Sequence, residues 1–205
     1  MGLGPDLRLV VFDLDGTLLH LDVDWDRVRR VLGTERTGET IGDAIARLRL
    51  AGDPPGAGDP LLDEVTAAEL DGLGDRRVDP AIDKTLVEIA ETRAVAVFTR
   101  NSREVVARAF ADSPLAGRLA VAGREDCTRL KPDPEGLRLL LSRTGVPAGR
   151  AVLVGDTYHD VGAARAAGTA SVVVHNDRLA YPPGGADRYI DQIPDLLAVL
   201  AEDRA

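Results

Sequence analysis

At 205 residues the chain is long enough to bury a full core, either as one ordinary domain or as one domain carrying a smaller insertion. Hydrophobic residues make up 44% and charged residues 29%, a globular balance, and no apolar run approaches the roughly 20 residues that a membrane helix needs. A formal net charge of -9 argues against general binding of nucleic acid or anionic membrane, which would repel the protein overall, while leaving small anions open to local positive charge. The single Cys127 excludes an intramolecular disulfide and a thiolate metal cluster and reads as a small buried or half-buried side chain. Met1 to Arg8 lacks a basic stretch leading into a long apolar segment, so a cytoplasmic location is expected.

In chain order, Leu9 to Phe12 reads as a strand buried on both faces that ends abruptly in Asp13-Leu14-Asp15-Gly16-Thr17. Asp13 and Asp15, two apart, project the same way if the strand continues, and Gly16 lets the backbone turn. From Leu18 to about Asp79 there is no strand-like run. Instead helices are predicted near Trp25–Leu32, Thr40–Leu50 and Pro60–Leu73, with Thr40-Ile41-Gly42-Asp43 capping the second and a Gly/Pro-rich loop over Ala51–Asp59. Beyond it, apolar β-branched runs at Ala94–Phe98, Leu119–Ala122, Ala151–Val154 and Ala170–Val174 read as further parallel strands. They alternate with helical patterns at Ala81–Glu91, Ser102–Phe110, Pro134–Thr144, Asp160–Ala167 and Pro194–Glu202, and Ala180–Gly185 reads as a surface turn. The expected fold is α/β: a three-layer, Rossmann-like core with a parallel sheet, and a small all-helical insertion after the first strand.

Polar clusters follow the predicted strands: Asp13 and Asp15, then Thr99-Arg100-Asn101, then Lys131-Pro132 beyond the third strand and its loop, then Asp156 and Asp160. Parallel strands bring such clusters to one edge of the sheet. Carboxylates gathered there repel one another unless a cation compensates, and an all-oxygen set without clustered His or Cys favours Mg²⁺. The metal and Lys131 then attract a phosphate, Thr99 donates a hydrogen bond to it, Asp13 attacks phosphorus, and Asp15 protonates the leaving oxygen and later deprotonates water.

These residues carry a resemblance. Asp13-Leu14-Asp15-Gly16-Thr17, Thr99 after an apolar strand, Lys131-Pro132 and Gly155-Asp156-Thr157-Tyr158-His159-Asp160 stand in the order of the four motifs of the haloacid dehalogenase superfamily. Over nearly its whole length the chain resembles the phosphoglycolate-phosphatase-like branch with a helical cap. The resemblance implies Asp13 as nucleophile and metal ligand, Asp15 as acid/base with its carbonyl on Mg²⁺, Thr99 and Lys131 on the phosphate, Asp156 on the metal, and Asp160 on it or beside it. Thr17, Arg100 and Asn101 are taken as substrate-binding residues, Arg100 standing where a small residue is common. Residues 1–17 and 80–205 form the expected core domain and 18–79 the cap domain. The expected activity is a Mg²⁺-dependent phosphatase acting on a small phosphorylated metabolite through an aspartyl-phosphate. Neither nucleic acid nor membrane is an expected partner, and the expected state is a monomer or weak homo-oligomer.

Several side chains read more plainly. Lys84 is a surface lysine, His159 occupies a variable position in its motif, and His20 and His175 rank lower still. Trp25 reads as a packing residue, Arg27, Arg29, Arg30 and Arg36 as solvated charge, and at most one of Arg47 and Arg49 as facing inward. A sugar-phosphate mutase uses the same Asp13 chemistry and is the alternative enzyme; a silent phosphate-binding regulator is the alternative outside catalysis. Dehalogenation is disfavoured by Asp15, which it does not need, and a receiver domain by the order of the acids and the helical insertion.

Overall fold

The computed structural model describes Leu3 and residues 6–51 and 59–202. Strand β1 spans Leu9–Phe12, β2 Ala94–Phe98, β3 Ala120–Ala122, β4 Ala151–Gly155, β5 Ala170–Val174 and β6 Arg188–Ile190. They form one parallel sheet in the order β3-β2-β1-β4-β5-β6. Every residue of β1 and β4 is buried, although successive side chains point to opposite faces, so both faces of the sheet centre are covered. This is why these strands are unbroken apolar runs. The chain leaves β1 toward β2 and β3, then returns across the sheet to β4, so the strand order reverses between β1 and β4. Such a switch point opens a crevice beyond the carboxyl ends of the strands.

The helices of the second half are α5 (Pro80–Ala90), α6 (Arg103–Ala109), α7 (Glu135–Thr144), α8 (Tyr158–Ala167) and α9 (Leu196–Glu202). Their N-termini follow local chemistry: Asp79 accepts from Ala81 N at 2.8 Å, with Pro80 opening α5, and Ser102 Oγ accepts from Val105 N at 3.2 Å to cap α6. Helix α7 packs on β2 and β3, and α8 on β4 and β5.

Between β1 and α5 lie α1 (Trp25–Leu32), α2 (Thr34–Thr37), α3 (Ile41–Ala51) and α4 (Pro60–Leu73), with no strand among the described residues. The expected Thr40 cap is present: Thr40 Oγ1 accepts from Asp43 N at 3.1 Å and donates to Asp43 Oδ2 at 2.7 Å. The loop expected over Ala51–Asp59 falls on residues 52–58, outside the described residues. The insertion's two stems run against each other, since a Cβ at Gly72 would sit 2.8 Å from Val23 N. Asp22 N donates to Gly72 O at 3.1 Å at the same crossing, and Asp22 pairs with Arg76 at 2.7 Å. Among the described residues no helix is long and apolar enough to cross a membrane.

Two short elements escape a reading by pattern. The three residues of β6 include the exposed Tyr189 and offer no run, and they become a strand only by pairing with β5. The four-residue α2 is set between two glycines, Gly33 and Gly38, that adopt positive φ of 70° and 69°.

Candidate active site

The site is built at the reversal of strand order. Asp13 follows β1, and its N–H continues the ladder by donating to Val154 O on β4 at 2.8 Å. Asp156 follows β4, and Asp160 lies in the first turn of α8. Carboxylate oxygens of Asp13, Asp156 and Asp160 lie within 4.8 Å of one another, and all three residues are buried. Glycines allow the approach. Gly16 has φ +88°, and a Cβ there would lie 2.3 Å from Asp156 Oδ2; one at Gly155 would lie 2.2 Å from Asp160 Cγ.

Lys131 enters from the loop beyond β3 and is 3% exposed. Its Nζ reaches Asp13 Oδ1 at 2.7 Å and Asp160 Oδ1 at 2.6 Å, and stands 5.3 Å from the centre of the Phe98 ring. The other Asp160 oxygen accepts from Thr157 N at 3.0 Å and Thr157 Oγ1 at 2.7 Å. Asp156 accepts from Asn176 Nδ2 at 2.6 Å and from Thr17 Oγ1 at 3.3 Å. Asp15 borders the same cavity as Asp13, with its Oδ1 accepting from Leu21 N at 2.8 Å. Thr99 is buried, and its hydroxyl donates to Asn101 Oδ1 at 2.8 Å.

The electrostatics show a deficit of positive charge. Burial pushes the Asp13 carboxyl up to about 7, opposed by Lys131 and reinforced by Asp160 and Asp156. Burial likewise raises Asp156 and Asp15. Burial also works against an ionised Asp160, but Lys131 and the Thr157 hydrogen bonds outweigh it and hold that carboxyl below its ordinary value. Burial would lower Lys131, yet Asp13 and Asp160 outweigh it, so the ammonium form is favoured. One lysine thus serves the acids of a single cluster. A hard divalent cation matches the remainder: the donors are all oxygen, and the raised carboxyls are the ones it would relieve.

Above the acids lies a cavity of about 340 Å³ whose walls include Asp13, Asp15, Thr99, Arg100, Lys131 and Trp25. It adjoins a wider cleft of about 990 Å³ between the insertion and the core, bordered by Arg100, Tyr158 and His159. Trp25, expected to pack, is 37% exposed and lines the cavity, so that expectation is corrected. It starts α1, a helix that buries only Val28 and Leu32, which turns the indole toward the cleft rather than the interior. His159 also borders the cavity; burial and Arg100 lower it to about 4, which keeps the imidazole neutral. Lys84 is exposed, as expected, and Cys127 is buried.

Three polar residues of the site carry no motif: Asn176 on Asp156, and the buried pair Arg124 and Glu69, 2.6 Å apart. The one signal in the sequence is that Glu69 stands between Ala68 and Leu70 with Val65 and Leu73 four positions to either side, which puts it on the apolar face of its helix.

Fold and site together define an α/β enzyme whose acids and lysine meet at the switch point of a parallel sheet. A family model described as haloacid dehalogenase-like hydrolase matches residues 61–174. A phosphoglycolate phosphatase of Rhodospirillum rubrum is 32% identical over 196 residues, covering 82% of this chain and 79% of the relative. Among solved structures, CbbY from Rhodobacter sphaeroides in complex with phosphate is similar at a TM-score of 0.66 and 25% identity, covering 95% of this chain and 99% of that one. A 2-haloacid dehalogenase from Pseudomonas syringae pv. Tomato is similar at a TM-score of 0.67 and 25% identity, covering 96% and 99%. The chain belongs to the haloacid dehalogenase-like hydrolases. It is a hydrolase of the phosphatase type.

Proposed function

We propose that this phosphatase hydrolyses a small phosphorylated metabolite through a covalent adduct on Asp13, with Mg²⁺ as its metal. The observation that carries the reading is the buried Lys131 bridging Asp13 and Asp160, with Asp156 beside them, at the floor of a cavity that Asp15 also borders. Fold similarity alone does not choose the reaction, since the similar structures include both CbbY in complex with phosphate and a 2-haloacid dehalogenase. Asp15 favours phosphoryl transfer, because an ester leaving group needs a proton and a halide does not.

An Asp13 oxygen attacks phosphorus while the bond to the ester oxygen breaks, and that oxygen takes its proton from Asp15, whose raised pKa suits an acid. Water then gives a proton to Asp15 and attacks phosphorus, which releases inorganic phosphate and restores Asp13. Lys131 offsets charge on the phosphoryl oxygens, and the Thr99 hydroxyl donates to one of them. Asp13, Asp156 and the Asp15 carbonyl would hold Mg²⁺, which when bound supplies positive charge for the phosphoryl oxygens. Asp160, with both oxygens engaged, positions Lys131 beside Asp13.

Residues 18–79 act as a cap over a core of residues 1–17 and 80–205, and choose the substrate. Arg100 borders the cavity and has no ion pair among the described residues, which suits it to a second anionic group on the ester. Thr17 acts on the substrate indirectly through Asp156. The relatives named phosphoglycolate phosphatase make phosphoglycolate the first ester to test.

The test is phosphate release from a panel of phosphorylated metabolites with Mg²⁺, compared by kcat/KM. Release that is abolished in Asp13→Asn supports the reading. Halide release from haloacids without phosphate release would overturn it, and isomerisation of a sugar phosphate without phosphate release would replace it with a mutase.

A further inference from the structure

Glu69 lies on α4 of the insertion, yet it is 2% exposed and touches the core at two separate segments. Its Oε1 accepts from Arg124 Nη1 at 2.6 Å and from Asn101 Nδ2 at 3.1 Å, and its Oε2 from Ser102 N at 3.1 Å. Arg124 is 1% exposed, and its Nη2 donates to Thr66 Oγ1 at 2.6 Å, one turn earlier on the same helix. The guanidinium therefore grips α4 at two points. Asn101 and Ser102 are also buried, and they are the residues that follow Thr99 and Arg100.

The network has a direction. A carboxylate only accepts hydrogen bonds, so the NH₂ end of the Asn101 amide must face Glu69 and its oxygen must face Thr99. Thr99 Oγ1 donates its single hydrogen to that oxygen at 2.8 Å and accepts from Asn101 N at 3.2 Å. The insertion thereby holds the loop that carries the Thr99 hydroxyl.

We propose that Glu69 is a positioning residue for the reaction, clamping Asn101 and Ser102 so that Thr99 is held at the edge of the phosphate site only while α4 is seated on the core. The proposal rests on the reading of Thr99 as a phosphate ligand. Arg124 serves it by neutralising Glu69, and it couples the seating of the insertion to the geometry of the core site. Asn101, expected from its place in the sequence to bind substrate, acts here through Thr99 instead.

Removing one charge of a buried pair strands the other, so the test removes both. E69M/R124M keeps bulk and loses the clamp; E69Q/R124Q is also uncharged but leaves a carbonyl at position 69 that can accept from Asn101. With a phosphate monoester and Mg²⁺, kcat/KM is expected to fall at least tenfold in E69M/R124M and to return to within threefold of wild type in E69Q/R124Q. In a Thr99→Ala background the methionine pair is expected to change kcat/KM less than twofold, because no hydroxyl remains to be positioned. Equal losses in both backgrounds, or a methionine pair as active as wild type, would overturn the proposal.

A measurement on the wild-type protein needs no variant to fold. Inorganic phosphate that takes the Thr99 hydrogen must free Asn101 Oδ1, so the Asn101 side-chain amide signals in NMR are expected to shift on phosphate titration. Bound phosphate with an unmoved Asn101 amide overturns the coupling. A wild-type protein that releases no phosphate from any ester instead defeats the functional reading itself.

Discussion

The two walls of the cleft hold their charges in opposite ways. On the core wall, Asp13, Asp156, Asp160 and Lys131 are all buried and fixed by hydrogen bonds to each other, to Thr157 and to Asn176. On the insertion, Arg27 pairs with Asp71 and Glu64, Arg29 with Asp26 and Arg47 with Glu39, in partly or largely solvent-exposed pairs. Among the described residues of the insertion Glu69 is the exception, a buried acid locked into the core. Buried, preorganised charge is what stabilises a transition state, whereas exposed charge is screened and easily exchanged. On the proposed function, the contrast separates a wall that performs chemistry from one that can be altered to suit a substrate.

The sharpest way to break this contrast is at its centre. Asp13→Asn leaves the shape of the site and removes the proposed nucleophile, and phosphate release is expected to fall by about 10³-fold or more. Withdrawal of divalent metal by a chelator comes next: activity should be lost and the melting temperature should drop, both restored by Mg²⁺, because the clustered acids then repel without compensation. An unchanged melting temperature would count against a metal at Asp13 and Asp156. Lys131→Met strands Asp13 and Asp160 in the interior and is expected to destabilise the protein by about 3–5 kcal/mol, read by urea denaturation.

Smaller effects test the residues around the acids and on the insertion. Arg100→Met is expected to lower kcat/KM about tenfold for esters bearing a second anionic group while leaving simple monoesters within about threefold, and an equal loss for both would remove Arg100 from substrate choice. Arg27→Ala, at an exposed pair, is expected to leave both the thermal melt and kcat unchanged within error.

Much of the core wall was legible in the linear chain for one reason. Continuous apolar runs such as Leu9–Phe12 and Ala151–Val154 identify parallel strands buried on both faces, and parallel strands place whatever follows them at a common edge. Asp13, Asp156 and Lys131 could therefore be brought together on paper; the register of β1 with β4 does so for the two acids, and Lys131 reaches Asp13 from the loop beyond β3. The longer helices of the insertion were equally legible from spacing, with Trp25–Leu32 and Pro60–Leu73 recovered to the residue, while the four-residue α2 was not.

What remained hidden depended on partners distant in sequence. Trp25 lies on a helix whose pattern says amphipathic, and only the docking of that helix turns the indole toward the cavity. Asn176 follows β5 without a motif and matters only because Asp156 is 20 positions back. By itself the order of residues determined the apolar strands β1 to β5, the edge they share and the acids gathered there, because burial of a strand is written in its own side chains. The tertiary structure alone decided that Glu69 meets Arg124 across 55 positions: a charged side chain is tolerable inside only beside its counter-ion, and neither residue's neighbours in the chain disclose where that counter-ion will be.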